Sequence, residues 1–124
     1  MQRKSLSSVI VKSVDRSCIQ GAVRSYSERL KARHSEVEKI IWFGSWISGI
    51  PTPGSDVDLC LILSNSNLPM RERVSEYLPL GFPVGLDLFA YTREEFEALK
   101  DRSPGWYRVI VAGIEIGIDR GGES

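Results

Sequence analysis

The apolar positions of the chain change period several times, and each change marks an element. Between residues 15 and 34 they fall at Ile19, Ala22, Val23, Tyr26 and Leu30, the stripe of an amphipathic helix that ends near His34. Residues 37–43 are instead a short β-branched and aromatic run closed by Gly44, which reads as a buried strand. Thr-Pro-Gly-Ser at 52–55 makes a turn, Pro presetting φ and Gly accepting positive φ, and residues 56–63 follow as a second strand. Asn67-Leu68-Pro69 opens a helix whose apolar face is Met70, Val74, Tyr77 and Leu78, and residues 79–85 break it. A third strand covers 84–91. Thr92-Arg93-Glu94-Glu95 is a capping box for a short helix with Phe96 and Leu99 turned inward. Ser103-Pro104 starts another helix, with Trp106, Val109 and Ile110 inward and Gly113 as its stop. Residues 114–118 read as a last, edge strand. The segments 1–8 and 121–124 are expected to be flexible, and 9–11 fit either a short strand or the lead-in to the first helix. This order predicts an α/β (α+β) fold, a small mixed β-sheet with helices packed on it.

Length and charge narrow the picture. The chain has 124 residues, enough for one modest core, so 1–124 is expected to be a single domain. Lys plus Arg and Asp plus Glu both total 16, a formal net charge of zero, which argues against strong nucleic-acid binding by bulk electrostatics. No apolar run reaches membrane-spanning length, and Met1-Gln2-Arg3-Lys4 is not followed by the apolar stretch of a secretory signal. Cys18 and Cys60 have neither metal-site spacing nor a disulfide framework, which suits a reducing cytoplasm.

The chemistry concentrates in Phe43-Gly44-Ser45-Trp46-Ile47-Ser48-Gly49 and in Ser55-Asp56-Val57-Asp58-Leu59. Side chains alternate along a strand, so Asp56 and Asp58 share a face with Cα atoms about 6.5–7 Å apart. Two carboxylates that close stay ionised only with a cation between them, and oxygen-only ligands favour a hard ion such as Mg²⁺ that completes its shell with substrate phosphates. Val57, Leu59 and Leu61 then face the core. Ahead of the acids, Gly44 leaves room for close backbone approach, and Ser45 begins a one-turn helix that offers a hydroxyl and N–H groups to an anion. Asp87, flanked by Leu86 and Leu88, is costly in an apolar strand unless paired, hydrogen-bonded or bound to a metal. If its strand lies beside the first acids, three carboxylates converge as for two metals about 3.5–4 Å apart that clamp an in-line nucleotidyl transfer.

Two near-miss motifs fail on their residues. Gly44 and Gly49 have P-loop glycine spacing, but Ile50-Pro51 stand where Lys and Ser/Thr are needed. Asp56 and Asp58 could open an EF-hand loop, but Leu61 and Asn67 occupy the Gly and Glu positions.

Gly44-Ser45, ten intervening residues, then Asp56-Val57-Asp58, with Asp87 downstream in an apolar strand, resembles the signature of the DNA polymerase beta-like nucleotidyltransferases. Within them the chain is similar to the minimal nucleotidyltransferases, the MNT group. The resemblance implies that Gly44 and Ser45 hold the triphosphate and that Asp56, Asp58 and Asp87 ligate Mg²⁺, with Asp87 helping to activate the acceptor hydroxyl. It implies transfer of AMP from ATP with release of pyrophosphate. It also implies a HEPN-type partner protein encoded nearby, whose tyrosine is adenylylated when the pair is a toxin–antitoxin system. Family members often carry Arg before the second Gly of the loop, where this chain has Ser48.

Other residues have plainer readings. Taken alone, Asp56 and Asp58 suit a solvated strand edge; the Gly-Ser turn and Asp87 make them a site. Ser45 also suits a helix N-cap, Ser55 a turn former and Asp87 a hydrogen-bonded structural acid. His34 reads as a helix C-terminal cap, and Cys60, on the Asp56/Asp58 face, as a small hydrophobe. Trp42 and Trp106 are core or rim; Trp46, beside the phosphate turn, could cover a base or a partner. Arg24, Arg29, Lys31 and Arg33 form a solvated face that could also hold an acidic partner or an RNA. The leading expectation is a Mg²⁺-dependent adenylyltransferase acting on the HEPN-type partner. The rivals are a module that neutralises its partner by contact and, less well supported, an aminoglycoside-type small-molecule transferase. A homo-oligomer is compatible with all three.

Overall fold

A computed structural model of the chain describes residues 2–49 and 55–117. Its elements are α1 (Gln2–Arg33), β1 (Val37–Phe43), α2 (Ser45–Ser48), β2 (Val57–Leu63), α3 (Met70–Tyr77), β3 (Leu86–Thr92), α4 (Arg93–Arg102), α5 (Pro104–Val111) and β4 (Ile114–Glu115). The four strands form one mixed sheet in the order β3-β2-β1-β4. β1 runs antiparallel to both β2 and β4, while β2 and β3 are parallel and are joined by the crossover that contains α3. The expected mixed sheet with packed helices is the fold observed.

Strand alternation sorts the core onto the two faces of the sheet. One face carries Ile40 from β1 and Val57, Leu59, Leu61 and Leu63 from β2, packed with Ile19, Val23, Tyr26 and Leu30 of α1 and Tyr77 of α3. The other carries Ile41, Cys60, Ile62 and Tyr91, covered by Ile110 of α5 with Phe96, Leu99 and Trp106. The single apolar stripe of α1 therefore has one surface to cover. A capping box fixes the start of α4: the Thr92 hydroxyl accepts from Glu95 N–H at 3.2 Å and the Glu95 carboxylate accepts from Thr92 N–H at 2.8 Å.

Several boundaries and faces differ from the expectations. α1 begins at Gln2 rather than near residue 15; residues 2–14 contain no Gly or Pro to stop a helix, so the polar start and the ambiguous 9–11 join it. Met70, Leu78 and Val109, expected inside, are exposed. The inner position of α3 is taken instead by Arg73, which is buried. Its Nε donates to Leu68 O at 2.9 Å and Nη1 to Ala90 O at 3.1 Å, and both Nη atoms grip Glu95 at 2.6 and 3.0 Å. This bidentate pair ties α3 to β3 and α4. β3 starts at Leu86, two residues later than expected, and β4 is cut to two residues, although Ile116 N–H still donates to Ile40 O at 2.8 Å. The predicted turn at 52–54, Ile118 and the tail at 121–124 lie outside the described residues. Among those described, no helix is long and apolar enough to cross a membrane.

Candidate active site

β1 ends at Phe43, and the chain turns sharply at Gly44, whose φ of +92° suits glycine best. The turn closes on itself: Gly44 O accepts from Ile47 N–H at 3.0 Å and Ser48 N–H at 2.9 Å, and Ser45 O accepts from Gly49 N–H at 3.1 Å. Gly44, not Ser45, is therefore the N-cap of α2, and Ser45 is its first residue, exposed to solvent. Ser48, at the position where related loops often carry Arg, turns its hydroxyl back to Gly44 O at 3.2 Å.

The acids come together through the sheet register. Phe43 of β1 pairs with Asp58 of β2, and Asp58 pairs with Asp87 of β3, so the two carboxylates stand on adjacent parallel strands at the same level. Asp56 lies just before β2. Burial, the neighbouring Asp87 charge and a hydrogen bond with Asp87, together with the Asp56 charge, push the Asp58 carboxyl up to about 6. Asp87 itself is exposed near the beginning of its strand, not buried among its leucine neighbours.

Two glycines make room for these acids. A Cβ on Gly44 would stand 3.0 Å from Asp58 Cγ, and a Cβ on Gly85 would stand 2.8 Å from Asp56 Cγ, with a carboxylate oxygen closer in each case. Gly85, whose carbonyl also accepts from Val57 N–H at 2.9 Å, is a site residue that the sequence reading missed. Only the β2/β3 register puts it beside Asp56.

Trp46 is buried, and its Nε1 donates to Ser55 O at 2.9 Å, so it is not placed to cover a base. The guanidinium carbon of Arg16, on α1, lies 5.5 Å from its ring centroid. Cys60, on the Asp58 face, is fully buried, and burial pushes its thiol up to about 12, which leaves it a small hydrophobe. His34 follows the last turn of α1, with Nδ1 3.3 Å from Glu36 and its ring edge-on to Tyr77.

A family model described as a nucleotidyltransferase domain matches residues 23–104, about two thirds of the chain and all three acids. The chain belongs to this nucleotidyltransferase family. Its mixed sheet and helices are consistent with the polymerase beta-like form of the fold, and nucleotidyl transfer is the general function that membership carries. No curated protein and no solved structure matches the chain. Domains of this family generally use a nucleoside triphosphate and a divalent metal. The donor set here suits such an ion: three carboxylates, no nitrogen or sulfur ligand, and glycine backbone where bulk would displace two of them. Among the described residues, no group of three or more His, Cys, Asp or Glu side chains is arranged to hold a metal ion.

Proposed function

We propose that the protein is a Mg²⁺-dependent adenylyltransferase that moves AMP from ATP to a hydroxyl of a HEPN-type partner protein, acting as the antitoxin of a toxin–antitoxin pair. The observation that carries the catalytic part is the in-register pairing of Asp58 with Asp87, with Asp56 alongside and the Gly44-Ser45 turn at the end of the adjacent strand. Asp56, Asp58 and Asp87 hold Mg²⁺, which when bound offsets the charge of the phosphate oxygens and aligns them for in-line displacement. Gly44 and Ser45 hold the triphosphate through backbone N–H and hydroxyl donors. Asp87, the exposed acid, accepts the proton of the acceptor hydroxyl. The hydroxyl oxygen bonds to the α-phosphorus as the bond from that phosphorus to the bridging oxygen of the β-phosphate breaks. Pyrophosphate leaves with the electron pair. The partner inference rests on the resemblance to minimal nucleotidyltransferases.

A second reading, neutralisation by contact alone, draws on one observation: residues 40–70 contain no Lys or Arg to meet a triphosphate. Titration of the partner separates the two. Incubation of the neighbouring HEPN-type protein with MgATP and substoichiometric amounts of this chain should give a mass gain of one or more AMP units across the whole population. Neutralisation that stops at a fixed ratio, with no mass gain, would replace catalysis by contact.

A further inference from the structure

The phosphate turn and the acid strand are separate pieces of backbone, and transfer needs them at a fixed distance. Within the turn, hydrogen bonds to Gly44 O and Ser45 O make residues 44–49 a small rigid unit. The acids are anchored in the register of β2 with β3 and with β1, where Phe43 pairs with Asp58, so the sheet fixes Gly44 against Asp58 and leaves residues 45–49 to be placed. Trp46 reaches from one to the other: its Nε1 donates at 2.9 Å to the carbonyl of Ser55, the residue before Asp56, bypassing residues 50–54. Trp46 is only 8% exposed and belongs to the core cluster that includes Val57 and Leu59. The Arg16 guanidinium lies over the same indole, 5.5 Å from its centroid, which adds α1 as a third anchor. The indole N–H is a donor only, so a single acceptor fixes the ring's orientation.

We propose that Trp46 is a positioning residue that sets where residues 45–49 of the triphosphate turn stand relative to the metal-binding acids, with Arg16 holding its ring in place. This rests on the assignment of the turn to phosphate and of the acids to metal. Its consequence is coupling. The acids stay in the sheet and the turn keeps its own hydrogen bonds when the Trp46 bond is lost, so each half-site retains its ligand while the gain from binding both ligands together falls.

The test uses the full chain, Mn²⁺ and inorganic tripolyphosphate. Calorimetric titration gives the affinity for each alone and for tripolyphosphate in saturating Mn²⁺. In the wild type, Mn²⁺ should tighten tripolyphosphate binding. In Trp46→Phe, which removes the donor, Mn²⁺ affinity alone should stay within about twofold while the tightening shrinks about tenfold. Arg16→Gln, at an exposed position, should move the coupling in the same direction by less, and Arg16→Lys, which keeps a cation over the ring, should restore it. Arg16→Gln also carries the test if Trp46→Phe does not fold. Undiminished coupling in folded Trp46→Phe, or in Arg16→Gln where that variant stands in, would overturn the proposal. Failure of the wild type to bind either ligand would overturn the assignment of the two half-sites, and this proposal with it.

Discussion

Gly85→Ala perturbs the site without touching any carboxylate. The backbone there is not in the positive-φ region, which among the described residues is occupied by Gly44 and Gly81, so alanine meets no conformational penalty. The nearest neighbour of the new methyl is the Asp56 carboxylate. Its Cγ would lie 2.8 Å from the added Cβ and one carboxylate oxygen closer still, where ordinary contact begins at 3.4 Å, so the carboxylate must retreat by more than about 0.6 Å. Asp56 is exposed and its side chain is free to swing outward, so the cost to stability is small, within about 0.5 kcal/mol. The cost to the site is larger. Displacing a ligand or its support by a fraction of an ångström typically lowers metal affinity by about 10–100-fold, and a shift near 1 Å lowers rate by about a hundredfold. The expected outcome is a thermal midpoint within a few degrees of wild type and Mn²⁺ affinity reduced at least about tenfold by calorimetry. Wild-type Mn²⁺ affinity in a folded Gly85→Ala protein would refute the placement of Asp56 in the metal site.

Three further predictions concern stability. Asp58 is raised from 3.8 to about 6 by burial, Asp87 and Asp56, so the metal-free wild type should lose stability relative to Asp58→Asn as pH climbs from about 4 through 6. Urea melts of both proteins at pH 4 and pH 7 check the sign. Glu95 is held below its ordinary range, first by its hydrogen bond to Arg73, so the contribution of this pair is present above the unfolded carboxyl value and lost as pH falls through the lower folded one. Glu95→Gln should cost about 2 kcal/mol at pH 7, discounted because Glu95 is partly exposed, and should flatten the acid side of the stability profile below about pH 4.3. The Ser27 hydroxyl is buried on α1 without a hydrogen-bond partner, so Ser27→Ala should raise stability by about 1 kcal/mol, a thermal shift of roughly 3–5 °C.

What was legible in the sequence follows from how local each signal is. β1 matches its predicted bounds because a β-branched run closed by glycine needs no distant partner to be recognised. The capping box at Thr92 is likewise a contact within four residues. Asp56, Asp58 and the Gly44-Ser45 turn could be read because strand alternation and loop spacing are short-range properties. The meeting of Asp87 with Asp58 could be stated only as a condition, since parallel register is set by a crossover of more than twenty residues. Gly85 was invisible for the same reason. Arg73 escaped because a search for apolar stripes does not see a buried guanidinium, whose partner Glu95 lies on another helix. The place of Trp46 beside the turn is a local signal, but its role depends on a carbonyl across the loop.

The central claim, that Asp56, Asp58 and Asp87 form one divalent-metal site beside the phosphate turn, is tested most directly by anomalous diffraction from crystals of the wild-type chain grown with Mn²⁺ and a non-hydrolysable ATP analogue. The account predicts Mn²⁺ peaks ligated by Asp56 and Asp58, with Asp87 in the same cluster and the triphosphate at Gly44 and Ser45. Mn²⁺ ligated elsewhere, with these carboxylates outside its shell, would contradict it.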